Sequence, residues 1–396
     1  MTVETTPGPL QWLREAAAAG EVHTVRVSWA DRLGTWRGKR LPVDVFLGGP
    51  ERRIGFCDGM IVVDVNCDVI QETPFSNFGT GYPDMYLRPR LESLRRVGWS
   101  EGEAFVFGTL ENHGGAPLGV SPANVLARVL ERLGESGIAV SARLTLNGHL
   151  RRAPGEPVSL LPDGRGRDEE PPGVLRRAAE GLRRSGVALR SLEAEPDGAF
   201  RLVLDGAPAL AAAEAAVLAK AALKEVTRPH DLHAVFMTRL PGVEGAAELG
   251  IELELAGCGG LDTGALWQRL TPLRSLLQPS VNAFKAGPPR RPTGTVGGDG
   301  LRLRGLAAAS EADAATALAA LGAAVGATLE GADGDAELAQ PEGLDGAATL
   351  LERCDWARDW LGEEFVDNAV PLQRHEAALF AAAVTDWELS RYWSAG

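Results

Sequence analysis

The chain has 396 residues, 45% apolar and 23% charged, an ordinary soluble composition at a length that can bury one or two cores. A net charge of −13 argues against nucleic acid or an anionic membrane as the main partner. Cys57, Cys67, Cys258 and Cys354 form no CxxC pair, so neither a zinc knuckle nor a redox dithiol is indicated, and reduced thiols are expected. No basic region followed by an apolar run opens the sequence, and no apolar stretch reaches membrane-spanning length, so a cytoplasmic protein is expected.

Pro9 to Ala19 reads as a short helix stopped at Gly20. Glu21 to Trp29 alternates and predicts a strand, and Asp31 with Gly34 supplies hairpin chemistry ahead of a second strand. Val43 to Leu47 suits a short helix or loop. Phe56 to Val69 reads as β-rich, Gln71 to Pro89 as loop, Ala104 to Leu110 as a strand and Asn112 to Leu118 as a linker. Residues 1–118 thus predict a small strand-dominated domain, and 119–396 a larger second one.

Ser121-Pro122 opens a helix that Gly137 stops. Next comes Val140 to Leu150, VSARLTLNGHL, whose strict alternation predicts a half-buried strand. Its polar positions, Ser141, Arg143, Thr145 and Asn147, include a cation but no carboxylate. Arg151 to Pro172 reads as a loop, Val174 to Ser185 as a helix, Phe200 to Leu204 as a strand and Pro208 to Thr227 as a long Ala-rich helix. Ala234 to Thr238 and Leu249 to Leu255 predict strands. Helices are expected over Trp267 to Leu277, Ala312 to Leu329, Ala347 to Leu361 and Glu363 to Trp393, with an acidic Gly-rich loop from Gly331 to Gly343.

Six segments, in order along the chain, resemble glutamine synthetase, especially its γ-glutamyl-amine ligase relatives. They are DRLGTWRGKRLP (Asp31 to Pro42), GYPDMYLRPRLESLRRVGW (Gly81 to Trp99), SPANVLARVLERL (Ser121 to Leu133), HAVFMTRLP (His233 to Pro241), PSVNAFK (Pro279 to Lys285) and the final Leu361 to Trp393. The resemblance implies an α+β fold: a small N-terminal β-grasp-like domain and a larger C-terminal domain with a curved antiparallel sheet packed with helices. In that family ATP phosphorylates the glutamate side chain and an amine displaces the phosphate. Divalent cations held by Glu and His on the inner face of the sheet support the transfer.

The family's metal-binding positions fall here on Arg143, Thr145, Arg201 and Gly250, with Glu252 at the second histidine position. Arg304 matches the second arginine of a family pair, and Asn282 lies in the retained VNAFK segment. Placing Arg143 and Arg201 at two carboxylate positions swings the local charge by about four units. A dication does not sit against fixed guanidinium groups, so no metal and no cofactor is expected. Arg143 and Arg201 are instead expected to share the old cavity, pairing with Glu252 or Glu254 or holding a small anion. Arg143, Arg201, Glu252, Asn282 and Arg304 are the candidate ligand-binding residues. Paired carboxylates elsewhere, Asp64 with Asp68 and Glu252 with Glu254, read as ion-pair formers rather than metal ligands. The six histidines show no metal spacing, and His149 suits a surface or turn position.

These observations favour a pseudoenzyme serving as a structural or regulatory subunit, a homo-oligomer or a hetero-oligomer with an active paralogue. Two other readings use the same residues: a repurposed metal-independent enzyme on an anionic substrate, and a divergent ATP-dependent carboxylate–amine ligase of specialised metabolism.

Overall fold

The computed structural model describes residues 8–153, 156–157, 173–297, 300–332 and 338–393. The first part holds α1 (Pro9–Ala18), β1 (Val22–Ala30), β2 (Trp36–Pro42), α2 (Val43–Leu47), β3 (Ile54–Cys57), β4 (Asp84–Pro89), β5 (Arg95–Arg96) and β6 (Gly102–Glu111). Its sheet runs β2-β1-β6-β4-β3, with β1 and β6 parallel and β5 added to β6. The interior of this sheet collects Val25, Val27, Phe46, Leu87 and Val106.

The second part begins with α3 (Pro122–Glu135), β7 (Ala139–Ala153), β8 (Glu156–Pro157), α4 (Gly173–Arg184), β9 (Leu189–Ala194), β10 (Ala199–Leu204) and β11 (Ala207–Pro208). It continues with α5 (Ala209–Thr227), β12 (His233–Val235), β13 (Glu248–Ala256), α6 (Thr263–Arg269), α7 (Arg274–Leu277), α8 (Val281–Phe284), β14 (Thr293–Gly297) and β15 (Gly300–Ala309). The chain closes with α9 (Ala314–Leu329), α10 (Leu344–Glu352), α11 (Asp355–Leu361), α12 (Glu363–Ala382) and α13 (Asp386–Tyr392). The large sheet runs β14-β15-β13-β7-β10-β9, antiparallel throughout, with β8, β11 and β12 attached to β7. The architecture is α+β, as the family resemblance implies.

β7 is the centre of the large sheet. Ala142, Leu144 and Leu146 are buried against helices, while Ser141, Arg143, Thr145 and Asn147 alternate onto the other face. α9 explains why so Ala-rich a helix is stable: it is buried from Ala314 to Ala327, and its small side chains let neighbours approach closely. At Gly326 the indole of Trp360 occupies the space a Cβ would need.

The two parts meet at a hairpin. Asp31 accepts from the backbone N–H groups of Leu33 and Thr35, both at 2.9 Å, and from Arg37 Nε at 2.8 Å. That network shapes the β1–β2 turn, in which Gly34 takes φ +67° and rests on Asp313, the N-cap of α9. Asp313 is 1% exposed, and Lys220 beside it donates to the Ala312 carbonyl at 2.8 Å.

Several expected elements differ. The β-rich reading of Phe56 to Val69 holds only through Cys57, where a 3₁₀ turn (Asp58–Ile61) begins. The Asp64 carboxylate then accepts from the N–H groups of Asn66 and Asp68, and Cys67 adopts φ +68°. This Asx-turn chemistry overrides the apolar composition. Gln71 to Pro89 is loop only up to β4. The helix read over Trp267 to Leu277 breaks into α6 and α7 around Pro272, whose missing N–H cannot continue the ladder. Ala347 to Leu361 is likewise two helices, separated by Cys354 in extended conformation. The loop expected from Arg151 to Pro172 lies mostly outside the described residues, apart from the end of β7 and β8.

Candidate functional site

The polar face of the large sheet carries the positions that the family resemblance aligns with its metal ligands. Strand register decides which of them meet. Arg143 stands opposite Glu252, Thr145 opposite Gly250, and Arg201 opposite Asn147. Arg143 and Arg201 therefore share a face but not a cavity. Four residues of β7 separate the position of Arg143 from that opposite Arg201, roughly 13 Å at the rise of a strand. The expectation that both arginines fill one pocket is corrected by this register.

Arg143 donates to Glu252 at 2.7 Å, and Arg304 Nε approaches the other Glu252 oxygen at 4.0 Å. Arg302 pairs with Glu254 at 3.2 Å. Glu252, not Glu254, is thus the partner of Arg143, and the two carboxylates serve different cations. The space beside Arg143, bounded by Ser141, Gly206, Glu254 and Arg302, measures about 20 Å³, room for about one water. The ion pair fills its own site. Arg201 is exposed and forms no ion pair among the described residues. Thr145 packs against Gly250, where an added Cβ would come within 3.3 Å of the threonine. Asn147 donates to the Glu248 carbonyl at 2.7 Å, tying β7 to β13.

Asn282 has a different task. Its side chain accepts from Arg239 N–H at 2.8 Å and donates to Arg239 carbonyl at 3.0 Å, a clamp that leaves nothing aimed at a ligand. His149, expected at a surface or turn, is 7% exposed within β7. Burial, assisted by nearby Arg151, lowers its pKa, and its Nδ1 has no hydrogen-bond partner.

These residues do not fit a divalent cation. A hard cation takes six or more oxygen ligands, and here the carboxylate nearest the centre of the face is committed to arginines. Among the described residues no group of three or more His, Cys, Asp or Glu is placed to hold a metal ion. Asp64 is spent on its turn, and Glu254 on Arg302.

Sequence reasoning passed over two other places. A cavity of about 720 Å³ opens on the small sheet, lined by Arg37, Cys57, Met60, Cys67, Phe78 and Tyr82. These residues come from β2, the end of β3, the 3₁₀ turn and the loop before β4, with no shared motif, so nothing in the sequence groups them. The buried pair Lys220 and Asp313 was also missed, although a lysine within an apolar run of the Ala-rich α5 was a visible signal.

No family model matches the chain. The gamma-glutamylethanolamide synthetase GlnA4 of Streptomyces coelicolor is 27% identical over 447 residues, covering 98% of this chain and 96% of that protein. A glutamate–isopropylamine ligase from a Pseudomonas species is 24% identical over 274 residues, 63% of this chain and 57% of that one. Among solved structures, one described as "Apo GmaS without ligand" superposes with a TM-score of 0.75 at 20% identity, over 97% of this chain and 99% of its own. Another, described as "Crystal structure of novel glutamine synthase homolog", gives 0.73 at 21% identity, over 94% and 98%.

Proposed function

We propose, from the premise that this chain belongs to the glutamine synthetase family on its γ-glutamyl-amine ligase-like side, that it has given up cation-dependent ATP chemistry and serves as a structural or regulatory subunit. The observation that carries this reading is the Arg143–Glu252 ion pair at 2.7 Å, standing where the family's metal-binding carboxylate falls. A guanidinium there repels a dication and occupies the carboxylate that would have helped hold one. In this reading the fold is kept for assembly, as a homo-oligomer or beside an active paralogue.

A second reading has its own support. The match to GlnA4 runs nearly end to end in both chains, which favours a divergent ligase forming an amide between a carboxylate and an amine. One experiment separates the two. The purified protein is incubated with ATP, Mg²⁺ or Mn²⁺, glutamate and either ethanolamine or isopropylamine, with phosphate release and γ-glutamyl amide followed by mass spectrometry. No product above a heat-inactivated control is expected. Sustained amide formation overturns the first reading in favour of the second. Light scattering is expected to show an assembly, and a species with the mass of one chain at all concentrations, alone and with a paralogue, refutes the subunit role.

A further inference from the structure

The helices α12 and α13 leave an apolar surface in water. Phe380 lies in the last turn of α12, Val384 in the short connection, and Trp387, Leu389, Tyr392 and Trp393 on α13 or at its end. All six are exposed, Trp393 by 84%, Val384 by 70% and Trp387 by 61%, and no residue of α13 is buried. A helix of seven residues does not hold itself in water. A capping box starts it: the Thr385 hydroxyl accepts from the Glu388 N–H, and the Glu388 carboxylate accepts from the Thr385 N–H at 2.7 Å. Scattered apolar residues on a surface need no explanation, but these fall together, with the Trp387 and Tyr392 rings 5.9 Å apart.

The size of this surface says what it can hold. At about 200 Å² for a fully exposed aromatic, the four rings and two aliphatic side chains present roughly 700 Å² at their observed exposure. That exceeds the largest apolar patch of an ordinary monomer, about 300–600 Å², and approaches the roughly 800 Å² that each partner gives to a stable interface. The charges around it select the partner. Lys285 Nζ stands 4.6 Å from the Phe380 ring and the Arg391 guanidinium 5.2 Å from the Trp387 ring, while Asp386 and Glu388 add carboxylates from the first turn of α13. Two cations and two carboxylates leave the rim neutral. The whole chain carries −13, so two copies repel over most of their surfaces and meet at least cost where local charge cancels. A lipid surface is a poor match, because anionic headgroups select a basic face.

We propose that the end of α12 together with α13 is a contact surface for a second copy of this chain, the same patch meeting itself across a two-fold axis. Such a contact buries the aromatic side chains at its centre and leaves the charges at its edge, the anatomy of a stable interface. α13 is then held by its partner rather than by its own chain. The proposal rests on the assembly part of the subunit reading and names one contact within it.

The test uses the full chain and light scattering over a range of concentrations. Wild type is expected to assemble. The double substitution Trp387→Ser with Trp393→Ser is expected to weaken the contact by about a hundredfold or more, so that the assembly falls to half its mass or less. Both side chains are exposed, and circular dichroism checks that the variant is folded. Charge then shows whether the partner is a copy. Arg391→Glu makes the rim acidic and Asp386→Lys makes it basic. At low salt each alone is expected to associate about fivefold more weakly than wild type, and an equimolar mixture of the two to recover that loss. An unchanged mass for the folded double variant overturns the proposal and leaves the subunit reading standing. So does a mixture that associates no better than either variant alone. A wild type that stays a single chain at every concentration overturns it too, and the subunit reading falls with it only if a paralogue also fails to bind.

Discussion

Arg143→Glu tests whether the polar face of the large sheet is held together by its own ion pairs. The change removes a 2.7 Å charge-assisted hydrogen bond and sets a carboxylate against Glu252. A charge-assisted bond of this kind contributes about 1.5–3 kcal/mol when buried. Here the side chains are 24% and 38% exposed, so solvent screening brings the loss down to roughly 1 kcal/mol. Two like charges about 5 Å apart at an effective dielectric near 20 add roughly 3 kcal/mol before screening, and roughly 1 kcal/mol after it. The expected destabilisation is about 2 kcal/mol. An unfolding entropy of about 2.1 cal/mol/K per residue converts this to a fall in Tm of about 2–3 °C for a chain of 396 residues. Calorimetry reads the shift, and the charge-swapped double variant Arg143→Glu with Glu252→Arg should recover more than half of it. If Arg143→Glu melts within about half a degree of wild type, and the swap changes nothing further, the pair contributes no stability and the account of a self-filled site is wrong.

Titration calorimetry with Mn²⁺ and a non-hydrolysable ATP analogue should show no stoichiometric micromolar metal binding, and tight binding to the large sheet would contradict the charge argument. Burial raises the pKa of Asp313 to about 6, well above the ordinary aspartate range. Between pH of about 4 and about 6 the folded state therefore holds a proton that the unfolded chain has released, and this contribution to stability is lost as pH rises through that window. Asp313→Asn, which preserves a good N-cap, should flatten that part of the pH–stability curve; an unchanged slope in urea titrations would rule the carboxyl out as its source. Gly326→Ala should cost about 1–3 kcal/mol despite the better helix propensity of alanine, because the indole of Trp360 fills the position of the new methyl; a rise in Tm would show that the contact yields freely.

Much of the fold was legible wherever a single physical rule dominated. The alternation around Arg143 needed only period-two burial, and β7 runs through all of it. The small residues of α9 announced a buried helix. Legibility failed where local chemistry competed with composition. Pro272 split one expected helix, and the Asx turn at Asp64 replaced an expected strand. The site was half readable. The identity of Arg143 and the nearby Glu252 and Glu254 could be seen, but the choice between them follows from β13 register, which no local pattern encodes. The separation of Arg143 from Arg201 is a register fact of the same kind.

The Arg143–Glu252 pair also bears on history. On the proposed reading, a carboxylate placed at position 143 by a single substitution would face Glu252 without any cation to hold them together, and would cost stability before any ligand set was gained. Removing Glu252 first would leave Arg143 and Arg304 without the carboxylate they share. On that reading each single step toward the family's carboxylate set lowers stability, so the cross-strand pair works as a ratchet that holds the face as it stands.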